Sequence, residues 1–278
     1  MRFLCKFSGL VCASAVAAGM TAMLPADVNA QVQAAAPGQT CSCPPELYRL
    51  DQPLRHLAQR IAARQPVTVV TIGSSSTAGA GASSSAASYP SRLEEELKAR
   101  FPNLPVKVVN RGVNGEEMAE MLARFDSAVV AERPDLVLWQ LGTNSVLRDH
   151  NLESAEPLIH DGILRLKALG VDVVLMDLQF APRVLAKPEA ERMVRLISAA
   201  AKADNVSVFH RFVVMRHWRQ VQSIPFDTFV SPDGLHMNDW SYGCVAKLFA
   251  AAIADAATRA TAVAAAPHAS IGHASSAP

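Results

Sequence analysis

Five short Val-rich runs, separated by stretches of helical periodicity, limit what this chain can fold into. They read VTVVTIG (67–73), VKVVNRG (106–112), DLVLWQLG (135–142), VDVVLMDLQ (171–179) and VSVFHRF (206–212). Each is nearly continuous in apolar residues rather than alternating, as expected of strands buried on both faces. Between them lie YPSRLEEELKARF (89–101), GEEMAEMLARFDSAVVAE (115–132), SAEPLIHDGILRLKALG (154–170) and KPEAERMVRLISAAAKA (187–203). DWSYGCVAKLFAAAIADAA (239–257) follows the last run. Acidic residues in the first turn of the second stretch and Gly170 at the end of the third mark helix ends. Five strands alternating with helices predict an α/β fold, a doubly wound five-stranded parallel sheet.

In such a sheet ligands gather outside the carboxyl ends of the strands. The segments there read GSSSTAG, NRGVNG, GTNS and DLQFAP, small and polar where a plain connector need not be.

The ends of the chain read differently. Arg2 and Lys6, an apolar stretch to Leu24 and the small-residue site VNA at 28–30 predict a secretory signal peptide over 1–30, and hence a periplasmic or secreted protein. The stretch is short and Gly-interrupted for a membrane span, so no stable membrane insertion is expected after cleavage. Residues 31–66 form an arm in which LDQPLRHLAQRIAARQ (50–65) predicts an amphipathic helix covering an edge or face of the sheet. The domain proper spans 67–258. The Ala/Ser/Pro-rich tail 259–278 has too few large apolar groups to offset its ordering entropy. Cys41, Cys43 and Cys244 remain after the signal. One of the first two can bridge to Cys244, tying the arm to the last helix, or all three can stay as thiols. A net charge of +1 without a basic block gives no electrostatic reason to expect a nucleic-acid partner.

Within this frame Ser75 sits on the turn at the tip of the first run. A serine hydroxyl becomes a nucleophile only with a base in hydrogen-bond reach and donors for the developing oxyanion. Of the eight histidines, His56, His150, His160, His210 and His217 read as surface or core residues, and His268 and His273 as tail residues. His236, in SPDGLHMND, follows Asp233 by three positions. That spacing lets the carboxylate reach imidazole Nδ1 and leaves Nε2 for a serine. Gly112 and Gly115 permit close backbone approach after the second run, and Asn144 offers an amide after the third.

Together these four blocks resemble the SGNH hydrolases, also called GDSL-type esterases and lipases, over about 67–258. IGSSSTAGAG carries the nucleophile block, VVNRGVNGE the glycine block, LWQLGTNS the asparagine block and DGLH the acid and base. The resemblance implies a flavodoxin-like three-layer sandwich. It implies a triad of Ser75, Asp233 and His236 and an oxyanion hole built by Ser75, Gly115 and Asn144. It implies no metal or organic cofactor. The expected activity is hydrolysis of short-chain esters, acetyl first, on a small molecule or glycan through an acyl-enzyme. An O-acetyltransferase acting on a glycan, a lysophospholipase or lipase, and a non-catalytic carbohydrate-binding protein are the alternatives. Two positions depart from the family pattern: Ser74 stands where the family usually has aspartate, and Ser145 where it often does. The sequence leaves the oligomeric state open.

Overall fold

The computed structural model describes residues 40–265, so the expected signal segment, the start of the arm and the end of the tail lie outside the described residues. Strands β1 (Val67–Gly73), β2 (Val106–Gly112), β3 (Leu136–Gln140), β4 (Asp172–Met176) and β5 (Ser207–Phe209) form one sheet in the order β2-β1-β3-β4-β5. Every pairing is parallel, which is the doubly wound topology the alternation predicts. All five residues of β3 and all but Thr68 of β1 are buried, because helices cover both faces. The helices Arg55–Ala62, Tyr89–Arg100 and Asp239–Ala265 pack on one another against one face. Met118–Ala123, Ala155–Lys167 and Ala190–Ala203 do the same against the other.

Several boundaries differ from the sequence reading for identifiable reasons. The arm helix begins at Arg55 rather than at residue 50. Pro53 disfavours helical backbone just before it, and the chain ahead of the helix is fastened instead, Gln52 N–H donating to Ser207 Oγ at 2.8 Å. The stretch 115–132 is not one helix but three short pieces. It breaks at Arg124 (φ −109°, ψ 12°), whose side chain turns toward the strand tips, and the β-branched pair Val129–Val130 does little to restore it. β5 stops at Phe209, and His210 caps a helix Arg211–Gln220 that the apolar run concealed. The expected disordered tail begins too early: the last helix runs to Ala265. Ala260 there is buried, and Arg259 pairs with Asp255 at 2.8 Å and donates to the Leu50 carbonyl. An Ala-rich sequence has high intrinsic helix propensity, and these contacts hold its first turns.

Cys41 and Cys244 are joined in a disulfide, Cα–Cα 5.4 Å, which ties the arm to the last helix. Cys43 is a free, buried thiol, and burial followed by the Glu46 charge pushes it up to about 11. It is therefore protonated and unreactive at neutral pH.

Gly162 sets the packing of the second helical layer. A Cβ there would stand inside contact distance of the Trp139 ring on β3 and 2.9 Å from Leu122 Cδ2. Trp139 is fully buried and has no room to yield. A glycine inside a helix ordinarily gains ~1 kcal/mol when changed to alanine, but overpacking a core costs about 1–3 kcal/mol. Gly162→Ala is therefore expected to lower the urea midpoint at unchanged denaturant slope. A raised midpoint would show that the ring does not lean on this position.

Candidate active site

The carboxyl ends of β1, β2 and β3 and the loop ahead of the last helix converge on Ser75. β1 ends at Gly73 and the chain turns at once into a short helix, Ser75–Ala78. Ser74 and Ser76 point into the protein and are buried. Ser75 between them is only half-buried. Its Oγ lies 2.8 Å from His236 Nε2, across 161 positions of sequence. His236 Nδ1 lies 2.5 Å from Asp233 Oδ2, while Asp233 Oδ1 accepts the backbone N–H groups of Leu235 (2.9 Å) and His236 (3.0 Å). The carboxylate thus closes its own loop and orients the ring on it. Burial alone would raise the Asp233 carboxyl, but these hydrogen bonds and the nearby imidazole hold it below the ordinary carboxylate value.

The D-x-x-H pairing does not by itself mark this histidine. His56, His160 and His210 also meet carboxylates, those of Asp135, Asp204 and Asp177, at 3.0, 2.9 and 3.1 Å. His236 differs in meeting a serine with its second nitrogen. Its approach depends on Gly81, which has φ +88° and at which a Cβ would lie 2.9 Å from His236 Cβ. Only glycine adopts that backbone and leaves that space. The Gly/Ser-rich loop around it is anchored: Tyr242 Oη donates to the Ala80 carbonyl at 2.6 Å, and Ser83 N–H and Oγ reach the Asp239 carboxylate at 2.8 and 2.5 Å.

Of the predicted oxyanion donors, Gly115 and Asn144 lie on segments that are hydrogen-bonded to each other. The Ser75 and Gly115 N–H groups have no hydrogen-bond partner among the described residues. Gly115 sits at φ +80°, and its carbonyl accepts Arg148 Nη2 at 2.8 Å. Asn144 Nδ2 donates to the Glu116 carbonyl at 2.8 Å, which fixes the amide and leaves its second proton free. A serine paired with an oriented imidazole, next to unpaired N–H groups, is equipped for acyl transfer.

Several residues that hold this geometry escaped the sequence reading. Buried Gln140, at the end of β3, accepts on its one Oε1 from Ser74 N–H (3.0 Å), Ser74 Oγ (3.2 Å) and Thr77 Oγ1 (3.2 Å). This is what the serine at position 74 does. Asn110 ties β2 to the same turn through the Thr77 carbonyl at 2.8 Å. Arg124 Nε grips both Glu116 oxygens at 2.8 and 2.7 Å, and its Nη2 donates to the Arg111 carbonyl at 2.8 Å. Glu117 accepts Ser145 Oγ at 2.8 Å and His150 Nδ1 at 3.0 Å, and pairs with Arg148. Burial opposes but these donors prevail, and the Glu117 carboxyl is held below its ordinary value. A cavity of about 330 Å³ opens beside Glu117, lined also by Met118, Glu120, Ser145, His150 and Leu152. Only the composite NGEE at 114–117 hinted at this cluster.

The family model that matches the chain is the "Non-GDSL lipase-like family", over residues 40–259. The chain is 30% identical over 90 residues to an acetylxylan esterase of Geobacillus stearothermophilus, a match covering 29% of this chain and 41% of that protein. It is 25% identical over 171 residues to thioesterase 1/protease 1/lysophospholipase L1 of Escherichia coli K12, covering 62% and 76%. Among solved structures, a two-domain esterase active on acetylated mannans superposes with TM-score 0.64 at 19% identity, covering 77% of this chain and 56% of that one. A variant of an acetyl-xylooligosaccharide esterase from Geobacillus superposes with TM-score 0.59 at 21% identity, covering 67% and 94%. The chain thus spans less than two thirds of the acetylxylan esterase and of the two-domain esterase.

The depressed Asp233 carboxyl has a consequence for stability. A group whose carboxyl is lowered on folding stabilises the fold above the unfolded value, ~4, and loses that contribution as pH falls through the folded value. The stability gap between wild type and Asp233→Asn is expected to be full at pH 5–7 and to close toward pH 2 in urea titrations. A gap constant down to pH 2 would show that the carboxylate charge is not what holds the loop.

Proposed function

The chain belongs to the non-GDSL lipase-like family, of the SGNH hydrolase type, and on that premise we propose that it is a serine esterase that removes short acyl groups, acetyl first, from a carbohydrate through a covalent acyl-enzyme. The single observation that carries this reading is the 2.8 Å contact between Ser75 Oγ and His236 Nε2, with Asp233 behind the ring.

His236 Nε2 takes the Ser75 proton as Oγ bonds to the ester carbonyl carbon. The negative charge that develops on the carbonyl oxygen falls to the Ser75 and Gly115 N–H groups and the free Asn144 amide proton. Asp233 keeps the proton on Nδ1 and stabilises the imidazolium. The intermediate collapses, the C–O bond to the leaving alcohol breaks, and His236 returns the proton to that oxygen. Water then enters, gives its proton to Nε2 and attacks the acyl carbon. The second collapse releases the acid, and Ser75 recovers its proton.

The carbohydrate substrate is supported by the two likenesses to esterases of acetylated xylan and mannan. It is supported also by the plain connections after β3 and β4, which lack a lid-length apolar insertion. A second reading, hydrolysis of longer acyl esters, draws on the thioesterase and lysophospholipase likeness and on Met118, Leu152 and Leu158 in the cavity wall. Export to the periplasm or outside the cell is part of the proposal: the Cys41–Cys244 disulfide suits an oxidising compartment.

Ser75→Ala and His236→Ala should each lose on the order of 10⁴-fold or more in kcat with the fold intact by circular dichroism. Near-wild-type turnover in pure Ser75→Ala would end the nucleophile assignment. Asn144→Ala should lose about 10²–10³-fold in kcat with little change in KM. An effect on KM alone would make Asn144 a substrate contact instead.

Chain length separates the two readings. Each buried methylene is worth ~0.8 kcal/mol, so a trough that accepts long chains raises kcat/KM steadily with length. Across p-nitrophenyl esters from acetate to dodecanoate, below the micelle concentration, kcat/KM should be greatest at the short end. A steady rise to dodecanoate would favour the lysophospholipase-like reading.

A further inference from the structure

Consecutive glutamates follow the oxyanion glycine, and they are held from opposite sides. Glu116 is gripped by Arg124, whose other nitrogen reaches the end of β2. Glu117 is gripped by Arg148, Ser145 and His150, all from the segment that carries Asn144. Arg148 then reaches back with Nη2 to the Gly115 carbonyl at 2.8 Å, and Asn144 donates to the Glu116 carbonyl. The two candidate oxyanion donors, which come from different strand tips, are therefore cross-tied at three places around Glu117.

We infer that Glu117 and Arg148 form a positioning clamp that fixes Gly115 relative to Asn144 and so sets the oxyanion geometry, an inference that rests on the esterase reading. Neither touches the reacting atoms. Arg148 acts by holding the Gly115 carbonyl, which orients the adjoining backbone at a left-handed glycine that has many other conformations open to it. Glu117 holds Arg148. The clamp also accounts for Ser145. A hydroxyl there donates to Glu117 at 2.8 Å, whereas the aspartate often found there in the family would set two carboxylates against each other. In this chain the loop's carboxylate comes from the glycine side, and position 145 supplies the donor.

The Arg148 side chain is 46% exposed and that of Glu117 16%; without Arg148 the mostly buried Glu117 carboxylate still meets Ser145 Oγ and His150 Nδ1, so the fold should survive. A misplacement of about 1 Å at a reacting centre costs up to ~10²-fold in rate. Arg148→Ala should therefore lower kcat on p-nitrophenyl acetate by about 10- to 100-fold at unchanged KM and thermal midpoint. Guanidinium ion at a non-denaturing concentration should restore part of that loss. Glu117→Gln should fall in the same direction, and the double variant should lose little more than the worse single one, because both break one unit. Ser145→Asp should also lose kcat and recover some when combined with Glu117→Gln. Unchanged turnover in both Arg148→Ala and Glu117→Gln would overturn the clamp, as would an effect on KM alone. A loss accompanied by a collapsed thermal midpoint and no guanidinium rescue would overturn it too, leaving a structural ion pair. Wild type is assayed alongside: if it is inert to every ester, the esterase reading falls and the clamp with it. If it is active and the variants are indifferent, only the clamp falls.

Discussion

The parallel direction of all five strands is the constraint from which the rest follows. With every strand running the same way, the carboxyl ends of β1, β2 and β3 open on one edge, and the residues just past them face one cleft. Ser75, Gly115 and Asn144 all lie just past those ends. The cost is that a parallel sheet must be covered on both faces, and the helices that cover it are the connections between strands. The last helix serves a further purpose. Its N-terminal side carries the Asp233–His236 loop and Asp239, so the base is delivered to the cleft by the same element that closes one face of the core.

Precision at the cleft comes from buried polar groups rather than from the hydrophobic core. Gln140 gathers three donors of the nucleophile turn on one oxygen. Gln179 does similar work one strand over. It accepts from Thr143, the neighbour of Asn144, at 3.1 Å and from buried Arg211 at 2.9 Å, and it donates to the carbonyl of Leu235, the neighbour of His236, at 3.4 Å. Gln140 ends β3 and Gln179 follows the end of the adjacent β4. Buried polar groups cost free energy unless they are hydrogen-bonded, and the partners here are the segments that must be aligned; Gln140 Nε2 and Arg211 Nη1 alone of these groups find no partner among the described residues.

Much of this was legible in the sequence, unevenly and for physical reasons. The runs match β1 and β2 to the residue, whereas the third, which also ends on a glycine, overshoots, since β3 stops at Gln140. The end of β5 could not be read, since the apolar pattern of VSVFHRF continues without punctuation into a helix. The Ser75–His236–Asp233 contact could be anticipated because chemistry restricts those positions to few residue types, and the order of the four blocks restricts them further. The contacts of Gln140, Gln179, Glu117, Arg124 and Arg148 could not. A glutamine or an arginine at a strand end has many possible uses, and its partners here lie up to 66 positions away. Position 145 shows the limit most plainly: its departure from the family pattern makes sense only once Glu117 is seen on the other side.

In the proposed mechanism Ser75 is a nucleophile activated by His236 and not one of several equivalent loop serines. A fluorophosphonate, which reacts with activated serines, tests it most directly when followed by peptide mapping. One adduct per chain is expected, on Ser75, absent in Ser75→Ala and formed far more slowly in His236→Ala. An adduct on Ser74, Ser76 or Ser83–Ser85 in the wild type, or undiminished labelling of Ser75→Ala, would contradict it.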